Sequence, residues 1–239
     1  MSELEIALEK NAWDIGIRLP IYWDYQKCPQ MAVFGGTGSG KTYFSTLVLA
    51  RIGLHIKDSE IILCDFKADT DFSFAVSSTH FYRFGDCSTG LSRAVEILRQ
   101  RQQATVKDRH PVFFFFDEWA SFLNTMEKKE AESAKQNLSM LLMLGRSFSI
   151  HCILSQQRLD ASNFNSARDN LATVIGLSKM SKEMVEMMFS EYKEVIERNK
   201  PQGQGSAIVG SEFYNILVPA VRSREKLESA ILLGMNRYP

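Results

Sequence analysis

The chain has 239 residues, of which 45% are hydrophobic and 23% are charged, and its 28 Lys and Arg balance 28 Asp and Glu. This composition is typical of a globular domain and excludes a disordered, fibrous or strongly basic chain. Any binding to nucleic acid therefore needs a local basic patch. Since no apolar stretch is long enough to span a bilayer and the acidic start, Met1–Glu5, is unlike a signal peptide, we expect a cytoplasmic protein with no membrane segment.

The first predicted element is an extended strand or hairpin over residues 13–23. Apolar residues alternate there and are expected to share one face: Ile15, Ile17, Leu19 and Ile21. We expect residues 1–30 to form this lead-in and to be part of the same domain as a core over residues 31–239.

A glycine-rich loop follows the apolar run Met31–Phe34 and fits the pattern G-x-x-x-x-G-K-[ST]. Its residues are Gly35, Gly36, Thr37, Gly38, Ser39, Gly40, Lys41 and Thr42. A chain nearly free of Cβ atoms can curl closely enough to wrap a polyphosphate with backbone N–H groups. In this pattern Lys41 reaches the β and γ phosphate oxygens and the Thr42 hydroxyl binds Mg²⁺, so the sequence predicts ATP and Mg²⁺ as cofactors.

Strand-like and helix-like patterns alternate along the rest of the chain. The predicted strands cover residues 61–64, 80–84, 112–116, 150–154, 172–177, 207–209 and 213–218. The predicted helices cover residues 43–52, 91–98, 183–189 and 224–233, and a helical stripe over 138–145 follows a charged segment, 126–136, that reads as a solvated helix face or loop. Arg93, Arg101 and Gln102 are expected to face solvent or a partner. The alternation predicts a three-layer α/β domain with a mostly parallel sheet.

Polar residues follow several of these strands, and the carboxyl ends of parallel strands form one ligand-binding edge. Asp117 and Glu118 end the run Val112–Phe116. We interpret Asp117 as the carboxylate on the Mg²⁺ side, acting through water, and Glu118 as the group that polarises the attacking water. The alternative is that Asp117 only caps the next helix.

The strand over residues 150–154 supplies two further candidates. Gln156 and Gln157 lie at its end, and either amide is a candidate γ-phosphate sensor, since periodicity alone does not choose between them. Arg146 precedes the strand, where a lone arginine is usually a surface residue. Its functional interpretation is an arginine finger supplied in trans by an adjacent subunit.

These residues together resemble the FtsK/SpoIIIE branch of the FtsK–HerA ATPases. The specific match is the block Gly145–Arg158, with a Gly-Arg, an Ile-His, an apolar strand and a Gln-Arg at the family's spacing. The resemblance extends to Asp65–Lys67, to Ser178-Lys179 and to Gly203–Gly205, and covers about residues 13 to 232.

The resemblance implies a RecA-like P-loop ATPase core in which Lys41 and Thr42 bind Mg-ATP, Asp117 supports the metal and Glu118 is the catalytic carboxylate. It selects Gln157 as the sensor and makes Arg146 a finger in trans. It further implies a homo-oligomer, a hexameric ring in this family, that acts on double-stranded DNA.

The chain departs from the family pattern at Leu159, Phe66 and Gln204, where the family has Pro, Pro and Arg. We expect a minimal member that starts and ends with the ATPase core, possesses no DNA-orienting module and comes from a mobile element. Two alternatives stay open. One is a conjugative coupling or secretion ATPase that a membrane or DNA-processing partner recruits to a DNA–protein substrate. The other is a nucleotide-gated assembly protein without transport.

Overall fold

The structure is a computed structural model that describes residues 2–105 and 109–238. The first residue of the predicted lead-in 1–30 and the last residue of the predicted core 31–239 therefore lie outside the described residues. The strands are β1 (Glu3–Glu9), β2 (Pro20–Asp24), β3 (Met31–Phe34), β4 (Glu60–Asp65), β5 (Phe81–Arg83), β6 (Val112–Asp117), β7 (Ile150–Gln156), β8 (Thr173–Leu177), β9 (Gln204–Val209) and β10 (Glu212–Leu217). The helices are α1 (Lys10–Asp14), α2 (Lys41–His55), α3 (Cys87–Gln103), α4 (Trp119–Asn124), α5 (Lys128–Leu144), α6 (Lys182–Met188) and α7 (Arg224–Met235).

Within the described residues, ten strands form one sheet in the order β2-β1-β10-β9-β8-β3-β7-β6-β4-β5. The six strands from β8 to β5 are parallel, and β9, β10, β1 and β2 extend the sheet through antiparallel pairs. Helices α2 and α7 cover one face, and α3 and α5 cover the other. The prediction of a three-layer α/β fold with a mostly parallel sheet is therefore confirmed.

The phenylalanine run of β6 shows why the core has two halves. Successive side chains of a strand point to opposite faces, so Phe113 and Phe115 join the core under α2 and α7, while Phe114 and Phe116 join the core under α3 and α5. All four are fully buried. A central parallel strand is covered on both faces, and its sequence is therefore continuously apolar.

The contact between α2 and α7 depends on glycine. A Cβ atom on Gly53 would lie 1.9 Å from the carbonyl oxygen of Ala230, and one on Gly234 would lie 3.1 Å from the Gly53 Cα. The two backbones approach too closely for any larger residue. This contact anchors α2, whose amino end follows the glycine-rich loop.

The prediction for residues 13–23 is wrong over its first part. Residues 10–14 form α1, a turn follows at Gly16 with φ +81°, and only Pro20–Asp24 is extended. Among the four alternating apolar residues, only Ile21 is buried. The side chains of Ile15, Ile17 and Leu19 are more than half exposed, so alternation by itself did not bury them. Strand β1 precedes this region and was not predicted.

Two expectations for the middle of the chain also change. The charged segment and the leucine stripe form one helix, α5, which begins at Lys128. Arg101 is buried instead of facing solvent, because its guanidinium donates to the carbonyl oxygens of Phe148 at 2.7 Å, Ser149 at 3.1 Å and His110 at 3.0 Å. Within the described ranges, no helix has both the length and the apolar character needed to cross a bilayer.

Candidate nucleotide-binding site

The register of the parallel strands brings the predicted site residues together at the carboxyl ends of the strands, which form one edge of the sheet. Asp117 of β6 pairs with Asp65 of β4 on one side and with Ser155 of β7 on the other. Phe34, the last residue of β3, pairs with Gln156. The carboxyl ends of β3, β4, β6 and β7 are therefore aligned. The glycine-rich loop leaves β3 directly beside the carboxylates.

The loop between β3 and α2 has the backbone that a phosphate cradle needs. Gly35 and Gly40 have φ of +153° and +95°, and Gly40 is the residue that caps α2. A Cβ atom on Gly35 would lie 2.6 Å from Ser39 Oγ and 2.7 Å from the carbonyl oxygen of Leu177. Glycine is therefore required at position 35 by both conformation and space.

Lys41 is folded into this loop and is 9% exposed. Its Nζ donates to the carbonyl oxygens of Gly35 at 2.9 Å and Gly36 at 3.4 Å. Burial lowers the pKa of Lys41, and the neighbouring carboxylates of Glu118 and Asp117 oppose that shift. The ammonium thus lies within the loop, where the phosphates of a nucleotide would be its natural counter-charge.

Asp117 is 5% exposed and ends β6, so it does not cap the next helix. Burial raises its pKa to about 7, and the charges of Glu118 and Asp65 add to the effect. Lys41 opposes this shift only in part, so a bound cation would stabilise the charged form of Asp117.

The donor set at this edge fits Mg²⁺. Asp65 Oδ2 and Ser155 Oγ are buried without a hydrogen-bond partner, and Thr42 lies in the first turn of α2. The described residues contain no cluster of three or more His, Cys, Asp or Glu suited to a metal ion. Mg²⁺ normally takes one or two protein oxygens together with nucleotide phosphates and water, so a small oxygen set is what it requires.

Glu118 has a strained backbone. Its φ of +59° and ψ of +49° are left-handed, a conformation that costs a residue other than glycine on the order of 1–3 kcal/mol. Its N–H donates to the carbonyl oxygen of Ser155 at 2.7 Å, and its own carbonyl oxygen accepts from Phe122 as α4 begins. The turn directs the Glu118 side chain into the cleft instead of along the strand.

A cleft of about 260 Å³ lies at this edge. It is lined by the loop and the start of α2 (residues 37–43), Lys67, Asp71, Asp117, Glu118, Gln157 and Gln202. Nine predicted residues therefore share one cleft: Thr37, Gly38, Ser39, Gly40, Lys41, Thr42, Asp117, Glu118 and Gln157. Sequence reasoning assigned no role to Lys67, although it lies in the block Asp65–Lys67, and Asp71 and Gln202 are on loops that carry no sequence signal.

The structure separates the two glutamines. Gln157 is exposed and lines the cleft, whereas Gln156 is fully buried and both polar atoms of its amide are without a partner. Adjacent residues at a strand end point in opposite directions, so only Gln157 faces the position a nucleotide would take.

Arg146 does not line its own cleft. It is exposed in a turn, Gly145–Phe148, that precedes β7, whereas the cleft lies past the other end of that strand. A seven-residue strand spans about 23 Å. The arginine therefore lies at the opposite edge of the sheet from the cleft of its own chain.

Comparisons with known proteins bear on the family and the fold of the chain. No protein-family model matches the sequence. The chain is 31% identical over 220 residues to the FtsK domain-containing protein YdcQ of Bacillus subtilis; the match covers 83% of this chain and 45% of YdcQ, so the chain spans less than half of that relative.

Two solved structures share the fold. The cytoplasmic domain of the type VII secretion ATPase EccC of Thermomonospora curvata matches 99% of this chain and 31% of its own, with a TM-score of 0.72 and 17% identity. The pCW3 conjugation coupling protein TcpA, in a monomer form with ATPγS, matches 83% of this chain and 62% of its own, with a TM-score of 0.62 and 16% identity.

Proposed function

The chain belongs to the FtsK family of P-loop ATPases, and from that premise we propose that it is an ATP-hydrolysing motor that moves double-stranded DNA as a ring of identical subunits. One observation carries the proposal. The residues needed on one side of an ATP site share a cleft at one edge of the sheet, while Arg146 stands exposed at the other edge. A head-to-tail arrangement of copies brings these two edges together.

In the proposed mechanism the loop N–H groups and Lys41 hold the triphosphate. Thr42 and Asp117 are the residues that would hold Mg²⁺, which when bound would neutralise phosphate charge. Glu118 orients and polarises the attacking water. Gln157 hydrogen-bonds the γ-phosphate or that water. When the γ-phosphate is released, Gln157 transmits the loss of this contact to β7.

Arg146 completes the site from the neighbouring subunit. The negative charge that develops on the transferred phosphoryl group needs a positive partner, and an arginine supplied in trans is worth a factor on the order of 10³ to 10⁵ in turnover. ATP hydrolysis would therefore require contact between neighbouring subunits. This requirement couples each hydrolysis event to a movement of the subunits around the ring.

The coupling or secretion alternative keeps this chemistry and changes the substrate. It is favoured by the similarity to EccC and TcpA, whose names place them in secretion and conjugation. On this alternative the motor accepts a DNA–protein complex from a partner, and naked duplex DNA has no effect on its turnover.

The proposal is tested by measuring ATP hydrolysis with and without linear duplex DNA, together with displacement of a triplex-forming strand from the same DNA. We expect DNA to increase turnover and the wild type to displace the strand, with Lys41→Ala inactive in both assays. Turnover that is unchanged by DNA, without displacement, would contradict the DNA motor. If ATP still changed the oligomeric state, that result would favour an assembly protein.

A further inference from the structure

A second lysine lines the nucleotide cleft, and the proposed mechanism gives it no part. Lys41 is buried in the glycine-rich loop, whereas the side chain of Lys67 is 58% exposed. The Lys67 ammonium forms an ion pair with Asp69, whose side chain is 32% exposed. Water solvates both charges of such a pair, so the pair contributes little to stability and Lys67 exchanges Asp69 for a stronger partner at small cost.

Strand register places Lys67 beside Asp117. Asp65 ends β4 and pairs with Asp117, which ends β6, so the segments that follow the two strands leave the sheet side by side. The hydrogen bond that Lys67 donates to Asp69 raises the pKa of Lys67, and the charge of Asp117 adds to this effect. Burial lowers the pKa of Lys41, and the charge of Lys67 adds to that effect. The charge of Lys67 therefore acts on groups at both sides of the position that a triphosphate would take.

The backbone next to Lys67 is held in place, although the side chain is exposed. The Ala68 N–H donates to Asp65 Oδ1 at 3.0 Å, and Ala68 has a left-handed φ of +54°. Arg83 donates to the carbonyl oxygens of Ala68 and Asp69, the latter at 3.1 Å. These bonds keep the Lys67 backbone at the rim of the cleft, so that a change of partner requires only the side chain to move.

Asp69 keeps a partner when Lys67 leaves it. Its Oδ1 accepts the N–H of Asp71 at 2.8 Å, while the ion pair with Lys67 uses Oδ2. Asp71 also lines the cleft, and its carbonyl oxygen accepts from Arg224 of α7 at 3.0 Å. Departure of Lys67 therefore leaves a partly exposed carboxylate that is hydrogen-bonded and hydrated, in a segment that is still anchored to α7.

We propose that Lys67 is a second phosphate-binding residue, which leaves Asp69 when a nucleoside triphosphate enters the cleft and contacts its terminal phosphate. The inference rests on the proposed function, because it needs a triphosphate held by the glycine-rich loop. A terminal phosphate offers three oxygens and a larger negative charge than a carboxylate, so it is the stronger partner for an ammonium. Lys41 and Lys67 then hold the phosphates from two sides, and the cleft distinguishes ATP from ADP by a contact that ADP lacks.

The first test compares the dissociation constants of ATPγS and ADP, both with Mg²⁺, for the wild type and Lys67→Met. We expect ATPγS to bind about 10-fold more weakly and ADP binding to be unchanged, because only the triphosphate reaches Lys67. Lys67→Arg keeps the charge and most of the ATPγS affinity. Lys57→Met is the matched control, since Lys57 is exposed beyond the end of α2 that is remote from the cleft, and it leaves both constants unchanged.

The second test uses the opposite effect that the proposal assigns to Asp69. Asp69→Asn removes the competing carboxylate, so ATPγS binds about 3-fold more tightly, and the same change in the Lys67→Met background has no effect. An ion pair that only supported the loop would give weaker binding in both single variants. Asp86→Asn, at an exposed position after β5, removes an equal charge and is the control that leaves binding unchanged.

The outcomes separate the role of Lys67 from the proposed function. ATPγS binding that Lys67→Met leaves unchanged, or a loss that is equal for ATPγS and ADP, overturns the contact with the terminal phosphate and leaves the motor in place. Weaker ATPγS binding by Asp69→Asn overturns the exchange of partners. A wild type that binds neither nucleotide overturns the inference together with the proposed function, whereas turnover that DNA does not increase overturns the DNA motor alone.

Discussion

The N–H of Glu118 donates a 2.7 Å hydrogen bond to the carbonyl oxygen of Ser155, and this bond holds Glu118 in a left-handed turn at the end of β6. The bond joins the end of one central strand to its neighbour. Because the turn redirects the chain, both residues line the cleft, but Asp117 is buried and Glu118 is half-buried although they are adjacent in sequence.

We predict that Glu118→Gln lowers ATP turnover on the order of 100-fold or more while nucleotide binding is kept, because the amide has the shape of the carboxylate but does not polarise water. Turnover and binding of a fluorescent ATP analogue are measured on the same preparation. Glu118→Gly is the companion variant, since glycine relieves the strain at φ +59°. It is expected to lose turnover without loss of thermal stability. A large drop in melting temperature for Glu118→Gly would refute strain at this position.

Arg146→Ala is expected to reduce turnover on the order of 10³-fold, with folding unchanged because the side chain is exposed. The decisive measurement mixes Arg146→Ala with Glu118→Gln. In an equal mixture, about a quarter of the interfaces combine an intact Glu118 with an intact neighbouring Arg146, so partial activity returns only if the arginine acts in trans. Activity that stays at the level of the separate variants would exclude that role, and Arg146→Lys tests whether charge alone suffices.

The two glutamines at the end of β7 are predicted to behave in opposite ways. Gln157→Ala lowers turnover on the order of 10- to 100-fold without changing stability, because it removes an exposed amide from the cleft. Gln156→Met keeps turnover and leaves stability equal or higher by about 1 kcal/mol, because it replaces a buried amide that has no partner. Chemical denaturation and steady-state hydrolysis check both. A loss of activity confined to Gln156→Met would reverse the assignment.

The buried side chain of His151 predicts how the free energy of unfolding depends on pH. It is 1% exposed between the rings of Tyr25 and Phe113, each about 5.0 Å away centre to centre, and neither ring nitrogen has a partner. Burial, with a smaller contribution from the charge of Arg101, lowers the pKa of His151 to about 3.

Since an unfolded histidine titrates near pH 6.5, the unfolded chain binds a proton between about pH 6.5 and 3 that the folded chain does not. Stability therefore falls as pH drops through this range, by about 1.4 kcal/mol per pH unit. His151→Phe removes this contribution and should be more stable than the wild type by about 2 kcal/mol at pH 5, relative to their difference at pH 7.5. Denaturation at the two pH values checks this. His55→Gln, at an exposed position, serves as the control and leaves the pH dependence as it is.

Much of the candidate site could be predicted from the sequence because its signals are local. The phosphate loop is eight contiguous residues whose glycines fix its backbone, and the run into Asp117 and Glu118 is apolar enough to require a central strand. The resemblance then chose Gln157 over Gln156, an assignment that remains a prediction although the structure turns Gln157 toward the cleft.

The sequence was a poor guide where burial depends on distant partners. Alternation over residues 13–23 predicts a buried face, yet nothing in the described part of the chain covers Ile15 or Ile17. Arg101 reads as a surface residue, yet three carbonyl oxygens of other segments bind it.

The sequence by itself determined the fold class and the residues that can hold a triphosphate, because strand periodicity and a glycine-rich loop act over a few neighbouring positions. Only the tertiary structure decided which side chains share the cleft, and that Arg146 faces away from it. Strand order and register align residues far apart in sequence, and a shift of one residue reverses the face of every side chain on a strand, so these relations exist only once the sheet is assembled.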